Sequence, residues 1–315
     1  MPSLNHVHPF LFEHLDIRGA IVSLDSTWRS LLARRGYPAT VANLLGEMSA
    51  VTTLIAANLK QPGRMTFQLR GEGPVNLLVL DCDEQLRLRG MAHWQAIQEL
   101  SSRSPGRPKN DLAPSGGGSG DFPEPGAQLR STPELLGHGQ LALTLDTAGM
   151  KQPYQSLVPL LGDSVAAIFE HYLTQSEQQP TRLMLAAGPE RAVGLFLQKL
   201  PTADARDSDG WNRIQHLLAT LRPAEMLGQA PEDLLRLVFP AEDIRVFDAR
   251  PVTHHCPEDW EKIQNMLRSL GRAECDAILR EKGEIVIRDD ICNHDYRLDG
   301  PAVAALFEPP SPTLH

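Results

Sequence analysis

The sequence lacks an uninterrupted apolar run of the roughly eighteen residues that a membrane-spanning helix needs, so no transmembrane helix is expected. Its first residues, Met1 to Phe12, do not combine a basic stretch with an apolar one, so no secretory leader is expected and the chain reads as cytoplasmic. It also lacks a basic excess: 30 Lys and Arg stand against 39 Asp and Glu, a net charge of −9. That excludes a general nucleic-acid or anionic-membrane binder, because no surplus cation is available to neutralise phosphates. Cysteine is scarce, at four residues: Cys82, Cys256, Cys275 and Cys292. In a chain this long, without an export signal, four do not make a disulfide framework. No glycine-rich phosphate cradle precedes a helix, since Gly71-Glu72-Gly73-Pro74 is a turn, so no nucleotide cofactor is expected.

What is present is a core. The apolar share is 42% of 315 residues, enough for one large domain with an appendage or for two domains. Strand-like stretches fall at Ile17 to Leu24, Met65 to Leu69, Val75 to Asp81, Gln85 to Arg89 (ended by Gly90), Gln140 to Leu145, Arg182 to Ala187 and Val193 to Leu200. A helix is expected around Val41, Leu44, Leu45, Met48 and Thr52, and another where Val165, Ile168, Phe169, Tyr172 and Leu173 repeat at helical spacing. The fold class is therefore α+β. A mixed α/β core domain spans about 1–200, with a polar Gly-, Ser- and Pro-rich insertion at about 101–132. A helical connector follows at about 201–252, with a loose start at Pro201 to Gly210, a helix from Trp211 to Leu221 and a strand at Ile244 to Phe247. A small C-terminal module, 253–315, is built from two helices and a hairpin.

Chemistry concentrates in that module. His254-x-Cys256 and, after 32 intervening residues, Asp289-x-x-Cys292 each put two potential ligands on a short turn. Two such turns brought together can offer four donors to a tetrahedral zinc ion, with His255 or His294 as stand-ins for His254. The plainer alternative is that Cys256 and Cys292 are packed, since free cysteine behaves as a small hydrophobe. Cys275 falls on an apolar helix face and Cys82 at a strand end between Asp81 and Asp83, and both read as structural.

Several separate stretches, in one order along the chain, carry a resemblance. They are Tyr172-Leu173-Thr174-Gln175-Ser176-Glu177-Gln178-Gln179-Pro180-Thr181, Leu135-Leu136-Gly137-His138-Gly139, Tyr154-Gln155-Ser156-Leu157-Val158 and Phe196-Leu197-Gln198-Lys199-Leu200-Pro201. Arg18-Gly19, Tyr37-Pro38, Leu59-Lys60, Gln68 to Pro74 and Leu88-Arg89-Gly90 add to them. Together they resemble the bacterial redox-regulated 33-kDa heat-shock chaperone family over nearly the whole chain except the insertion.

That resemblance implies an ATP-independent holdase, not an enzyme. Its partners would be unfolding client proteins and, downstream, an ATP-driven foldase, with room for a homodimer. It also implies a zinc ion held by a Cys-x-Cys and a Cys-x-x-Cys pair, whose oxidation to two local disulfides expels the metal and unfolds module and connector. Here those positions fall on His254, Cys256, Asp289 and Cys292. Each pair keeps one sulfur, so only a bridge between pairs, Cys256 to Cys292, remains. Zinc on this mixed set would be held more weakly than by four thiolates. The competing reading is a serine hydrolase built on Ser164 in Gly162-Asp163-Ser164; against it, Asp and Ser directly before an amphipathic helix are expected as caps.

Overall fold

The computed structural model describes residues 4–59, 61–95, 131–147, 149–150 and 152–308; the insertion expected at about 101–132 lies outside them but for its last two residues. Among the described residues, the strands form two six-stranded sheets and a separate hairpin. The first sheet runs in the order Ile244–Val246, His6–Phe12, Ile17–Leu24, Ala192–Lys199 and Thr181–Ala187, with Arg250–Pro251 also pairing His6–Phe12. Every pair in it is antiparallel. The second runs Thr253–His254, Arg87–Trp94, Val75–Cys82, Gly63–Gly71, Gly139–Thr147 and Tyr154–Pro159, and only its first pair is parallel.

The long helix Ala39–Ala57 lies between the sheets. It is apolar nearly all round, and such a helix must be buried. By length and a mean hydropathy of 1.3 it could cross a bilayer, but 72% of that window is buried inside the protein, which accounts for its composition. The helix Val165–Glu177 packs beside it with Val165, Ile168, Phe169, Tyr172 and Leu173 buried, Phe169 meeting Phe67 edge-on at 4.9 Å between ring centres. The helix stops before Pro180, at Gln178, which takes a left-handed conformation with φ 55°.

Strand alternation shows why the first sheet is central. Ala20, Val22 and Leu24 face the long helix, while Ile17 and Ile21 face the other way; Ala192 and Phe196 likewise oppose Val193, Leu195 and Leu197. Both faces are apolar, so both need cover. The second cover is the connector: short helices Ala203–Arg206, Gly210–Leu218, Pro223–Gly228 and Pro231–Val238 place Ile214, Leu218, Met226, Leu234, Leu235 and Val238 on the far face. The second sheet is simpler, with Met65, Phe67 and Leu69 turned inward and polar neighbours outward.

Three expectations need adjustment. The stretch 201–210 is not loose throughout but holds the short helix Ala203–Arg206, whose Ala203 is buried. The next helix ends at Leu218, although Leu221 beyond it still packs on the sheet. The strand expected to stop at Gly90 runs through it, over Arg87–Trp94. A Cβ at Gly90 would run into Leu80 and the Val79 carbonyl, so this glycine marks a close approach between strands and not a stop.

Glu47, on the long helix, is pushed up to about 7 from 4.5 by burial. The folded protein thus holds this proton more tightly than the unfolded chain does, so stability falls as pH rises from about 4.5 to about 7 and is level above. Glu47→Gln should therefore raise stability at pH 8 by up to about 3 kcal/mol and by much less at pH 5. Thermal unfolding of both proteins across that range checks it; a gain independent of pH would show that burial of the charge is not its source.

Candidate functional site

The connector ends by stitching the two sheets together. After Arg250–Pro251 pairs with His6–Phe12, the N–H of Val252 donates to the Asn5 carbonyl at 2.9 Å. One residue later the chain has changed sheets: Thr253 N–H donates to Leu86 O and His255 N–H to Leu88 O, each at 3.2 Å. Thr27 Oγ1 fixes the switch by donating to the Val252 carbonyl at 3.0 Å. Cys256 follows directly and is disulfide-bonded to Cys292, with Cα atoms 5.5 Å apart and 36 residues of sequence separation.

The module beyond it comprises helices Trp260–Leu270 and Arg272–Lys282, the hairpin Ile285–Asp289 with His294–Leu298, and the helix Gly300–Phe307. Its core is Ile263, Leu267, Cys275, Ile285, Tyr296, Leu298 and Val303. Asp259 caps the first helix by accepting from Lys262 N–H at 3.0 Å, and its own N–H donates to Tyr296 Oη at 2.7 Å. Trp260 and His294 both stand edge-on to the Tyr296 ring, at 4.9 and 4.7 Å.

Cys292 sits in the hairpin turn, which is organised by Asp289: its Oδ1 accepts from the N–H groups of Ile291 (3.0 Å) and Cys292 (3.2 Å). The turn grips the core domain at the loop between the helices Ser26–Leu32 and Ala39–Ala57. Arg35 donates to the carbonyls of Asp290 (2.8 Å) and Ile291 (2.5 Å), while its Nε is fixed on Leu31 O at 2.8 Å. Asn293, in a left-handed conformation with φ 53°, donates to the carbonyls of Ala33 and Arg34, each at 3.2 Å. A guanidinium anchored at one end and shared between two carbonyls at the other is a directional clamp.

Of the four residues expected as metal ligands, the structure brings Cys256 and Cys292 together as a disulfide, not as thiolates. A disulfide sulfur has given up the charge that binds zinc. His254 is half-buried on its edge strand; burial, then the neighbouring Arg35 and His255, hold its imidazole below the ordinary range. Asp289 Oδ1 is committed to the turn amides. His294 Nε2 lies 3.2 Å from Glu258 Oε1 instead of facing the cysteines. Among the described residues no three of His, Cys, Asp or Glu converge on a point that could hold a metal. In this oxidised arrangement the residues do not fit a tetrahedral ion.

The remaining singled-out residues have structural places. Cys275 is buried against the Leu267 carbonyl at 3.7 Å, and burial raises its thiol above the ordinary range. Cys82 is likewise raised, first by burial and then by Asp83 and Asp81, which leaves it protonated and inert. Ser164 is the N-cap of Val165–Glu177, its Oγ accepting from Ala167 N–H at 3.2 Å, so nothing supports it as a nucleophile. Residues from three of the family-like stretches meet in one polar cluster. Arg18 Nε and Nη2 donate to Gln198 Oε1 (2.9 and 2.5 Å), and Gln198 Nε2 donates to Glu177 Oε2 (2.8 Å) and Thr181 Oγ1 (3.4 Å). Arg35 and Asn293 were not visible as functional in the sequence. They lie more than 250 residues apart, and nothing local marks an arginine that will meet a distant turn.

Comparison with known proteins gives a consistent answer. A protein-family profile described as "Hsp33 protein" matches residues 5–299. A "33 kDa chaperonin" of Methylobacillus flagellatus is 36% identical over 305 residues, covering 96% of this chain and 94% of its own. One from Nitrosococcus oceani is 37% identical over 307 residues, covering 98% and 96%. Among solved structures, the Thermotoga maritima 33 kDa chaperonin shares the fold with a TM-score of 0.75 at 20% identity, over 96% of this chain and 97% of that one.

The site makes a countable forecast. Protein isolated under air and denatured without reductant should show two thiols per chain, from Cys82 and Cys275, and four after reduction. Four thiols before reduction would mean that Cys256 and Cys292 are unbridged in solution.

Proposed function

The chain belongs to the Hsp33 protein family, and from that membership we propose a cytoplasmic, ATP-independent holdase that binds unfolding proteins by displacing its connector. The observation that carries the mechanism is the second apolar cluster. Phe10, Phe12, Ile17, Ile21, Leu195 and Leu197 form a continuous apolar face on the first sheet, covered among the described residues by the connector. The longest of its helices has nine residues, Gly210–Leu218. Helices this short are not stable in isolation, so they persist only while docked. Arg213 braces the connector internally, bonding Glu242 Oε1 at 2.9 Å and Asp207 Oδ2 at 3.0 Å, and Arg191 ties it to the core through the carbonyls of Leu227 and Gln229.

When stress frees the connector, the uncovered sheet offers an apolar platform to the exposed segments of a client. Burial of apolar surface is non-directional, which suits a binder of many sequences. Nothing in this mechanism uses nucleotide, so a bound client would be released to an ATP-driven foldase.

The test is light scattering of a heat-unfolding client without ATP. The protein should suppress aggregation at substoichiometric to equimolar ratios once warmed enough to loosen the connector. Leu235→Ala, which empties part of the connector's apolar contact, should cost the docked state about 2–5 kcal/mol and bring the onset of activity to a lower temperature. Absence of suppression at every temperature, in both proteins, would overturn the reading.

A further inference from the structure

Resting on the holdase reading, we infer that the Cys256–Cys292 bridge is a redox lock of inverted sense: its oxidised form holds the chaperone closed and its reduction frees it. Both sulfurs lie where the chain touches the core domain. Cys256 stands two residues beyond His254, at the end of the edge strand held by the N–H groups of Thr253 and His255. Cys292 stands in the turn that Arg35 and Asn293 fasten to the core loop. The bridge therefore ties the end of the connector's path to the turn by which the module grips the core.

The sense of the switch follows from loop size. A bridge within either two-ligand turn would close almost no chain and would constrain nothing. This one closes a loop with 36 residues of separation that contains the helices Trp260–Leu270 and Arg272–Lys282. Such a cross-link removes freedom from the opened state and so favours the closed one. It also couples two events. For the connector to lift off, the segments Ile244–Val246, Arg250–Pro251 and Thr253–His254 must peel from the sheets. While the bridge is intact, the peeling segment stays tethered to the clamped turn, so the Arg35 and Asn293 hydrogen bonds must break as well. Once it is reduced, segment and module part independently. By chain entropy, reduction shifts the opening equilibrium by about two to three orders of magnitude.

The chemistry balances with a dithiol as the reductant. One of its thiolates attacks a bridge sulfur, forming a mixed disulfide and releasing the other cysteine as a thiolate. Its second thiol then displaces the protein sulfur, and the dithiol departs as its own cyclic disulfide. Two electrons and two protons pass from dithiol to protein, leaving Cys256 and Cys292 as thiols. A diazenedicarboxamide oxidant, which accepts two electrons and two protons, runs the protein step in reverse.

The experiment uses the full chain. Backbone hydrogen exchange over Thr253–His255 and Ile285–Leu298 is followed for wild type, Cys256→Ser and Cys292→Ser, each with dithiothreitol and with diamide. Zinc content and client protection are measured on the same samples. Oxidised wild type should exchange slowly and protect clients only at high temperature. Reduced wild type and both variants should exchange about 100-fold or more faster and protect at lower temperature, with the variants indifferent to either reagent. The lock is overturned if reduction leaves exchange unchanged or if oxidation accelerates it. It is also overturned if the reduced chain retains about one zinc per molecule and exchanges as slowly as the oxidised one. Exchange that switches as described while no form protects a client upholds the lock and overturns the holdase reading.

Discussion

The sheet built on His6–Phe12, Ile17–Leu24 and Ala192–Lys199 carries apolar side chains on both faces, and the rest of the molecule is arranged to cover them. One face is covered by the long helix Ala39–Ala57, itself apolar nearly all round and able to persist in water only between two sheets. The other face is left to four short helices that cannot hold their own shape. The two covers differ greatly in strength. The first is locked into a core shared with the second sheet, while the second is attached along one side and is polar on the other, with Leu237 and Phe247 already half exposed. Local opening starts where few buried contacts hold a segment, so of the two covers the connector is the one placed to lift.

The family-like stretches of sequence make sense in these terms. Arg18 on one strand, Gln198 on its neighbour, and Glu177 and Thr181 at the helix-to-strand connection form a hydrogen-bonded cluster in which Gln198 is almost wholly buried. A buried amide left unpaired would cost about 1–3 kcal/mol, so each partner fixes the identity of the next. These bonds tie the stretch Gln175 to Thr181 to the one around Gln198, although a helix end and a strand separate them. They line the floor of a cleft of about 720 Å³ whose walls are Ile55, Leu59, Leu173 and Phe196.

Legibility in the sequence followed the range of the forces involved. The strand Ile17–Leu24 and the helix around Val165 to Leu173 were readable because period-two and helical spacing are local signals, and they stand where expected. Ser164 was readable as a cap for the same reason. Gly90 misled because a glycine inside a strand looks like a stop unless the close approach of Leu80 is known. The short helices Pro223–Gly228 and Pro231–Val238 were missed, since each carries too few turns to show a period, although proline at the first helical position is a recognisable start. The candidate site was half legible. The family resemblance left a Cys256–Cys292 bridge open, beside a metal site and plain packing, but Arg35, whose carbonyl clamp gives that bridge its place, has no sequence signature at all.

The C-terminal module explains why some staple must exist at this point. Among the described residues its core consists of seven buried residues, Ile263, Leu267, Cys275, Ile285, Tyr296, Leu298 and Val303, with five partly buried ones packed on them. A core of that size cannot offset the conformational entropy of the chain that surrounds it, and small units of this kind depend on a metal or a covalent cross-link. Four thiolates would supply a metal site, and their oxidation would dismantle the staple. With a single sulfur left in each turn, the order reverses: the cross-link exists only when the sulfurs are oxidised. Asp289 fits that arrangement, because its carboxylate gathers the amides of Ile291 and Cys292 and so presents the sulfur of Cys292 towards Cys256. On the proposed lock, the redox state of that one bond sets the stability of the closed module.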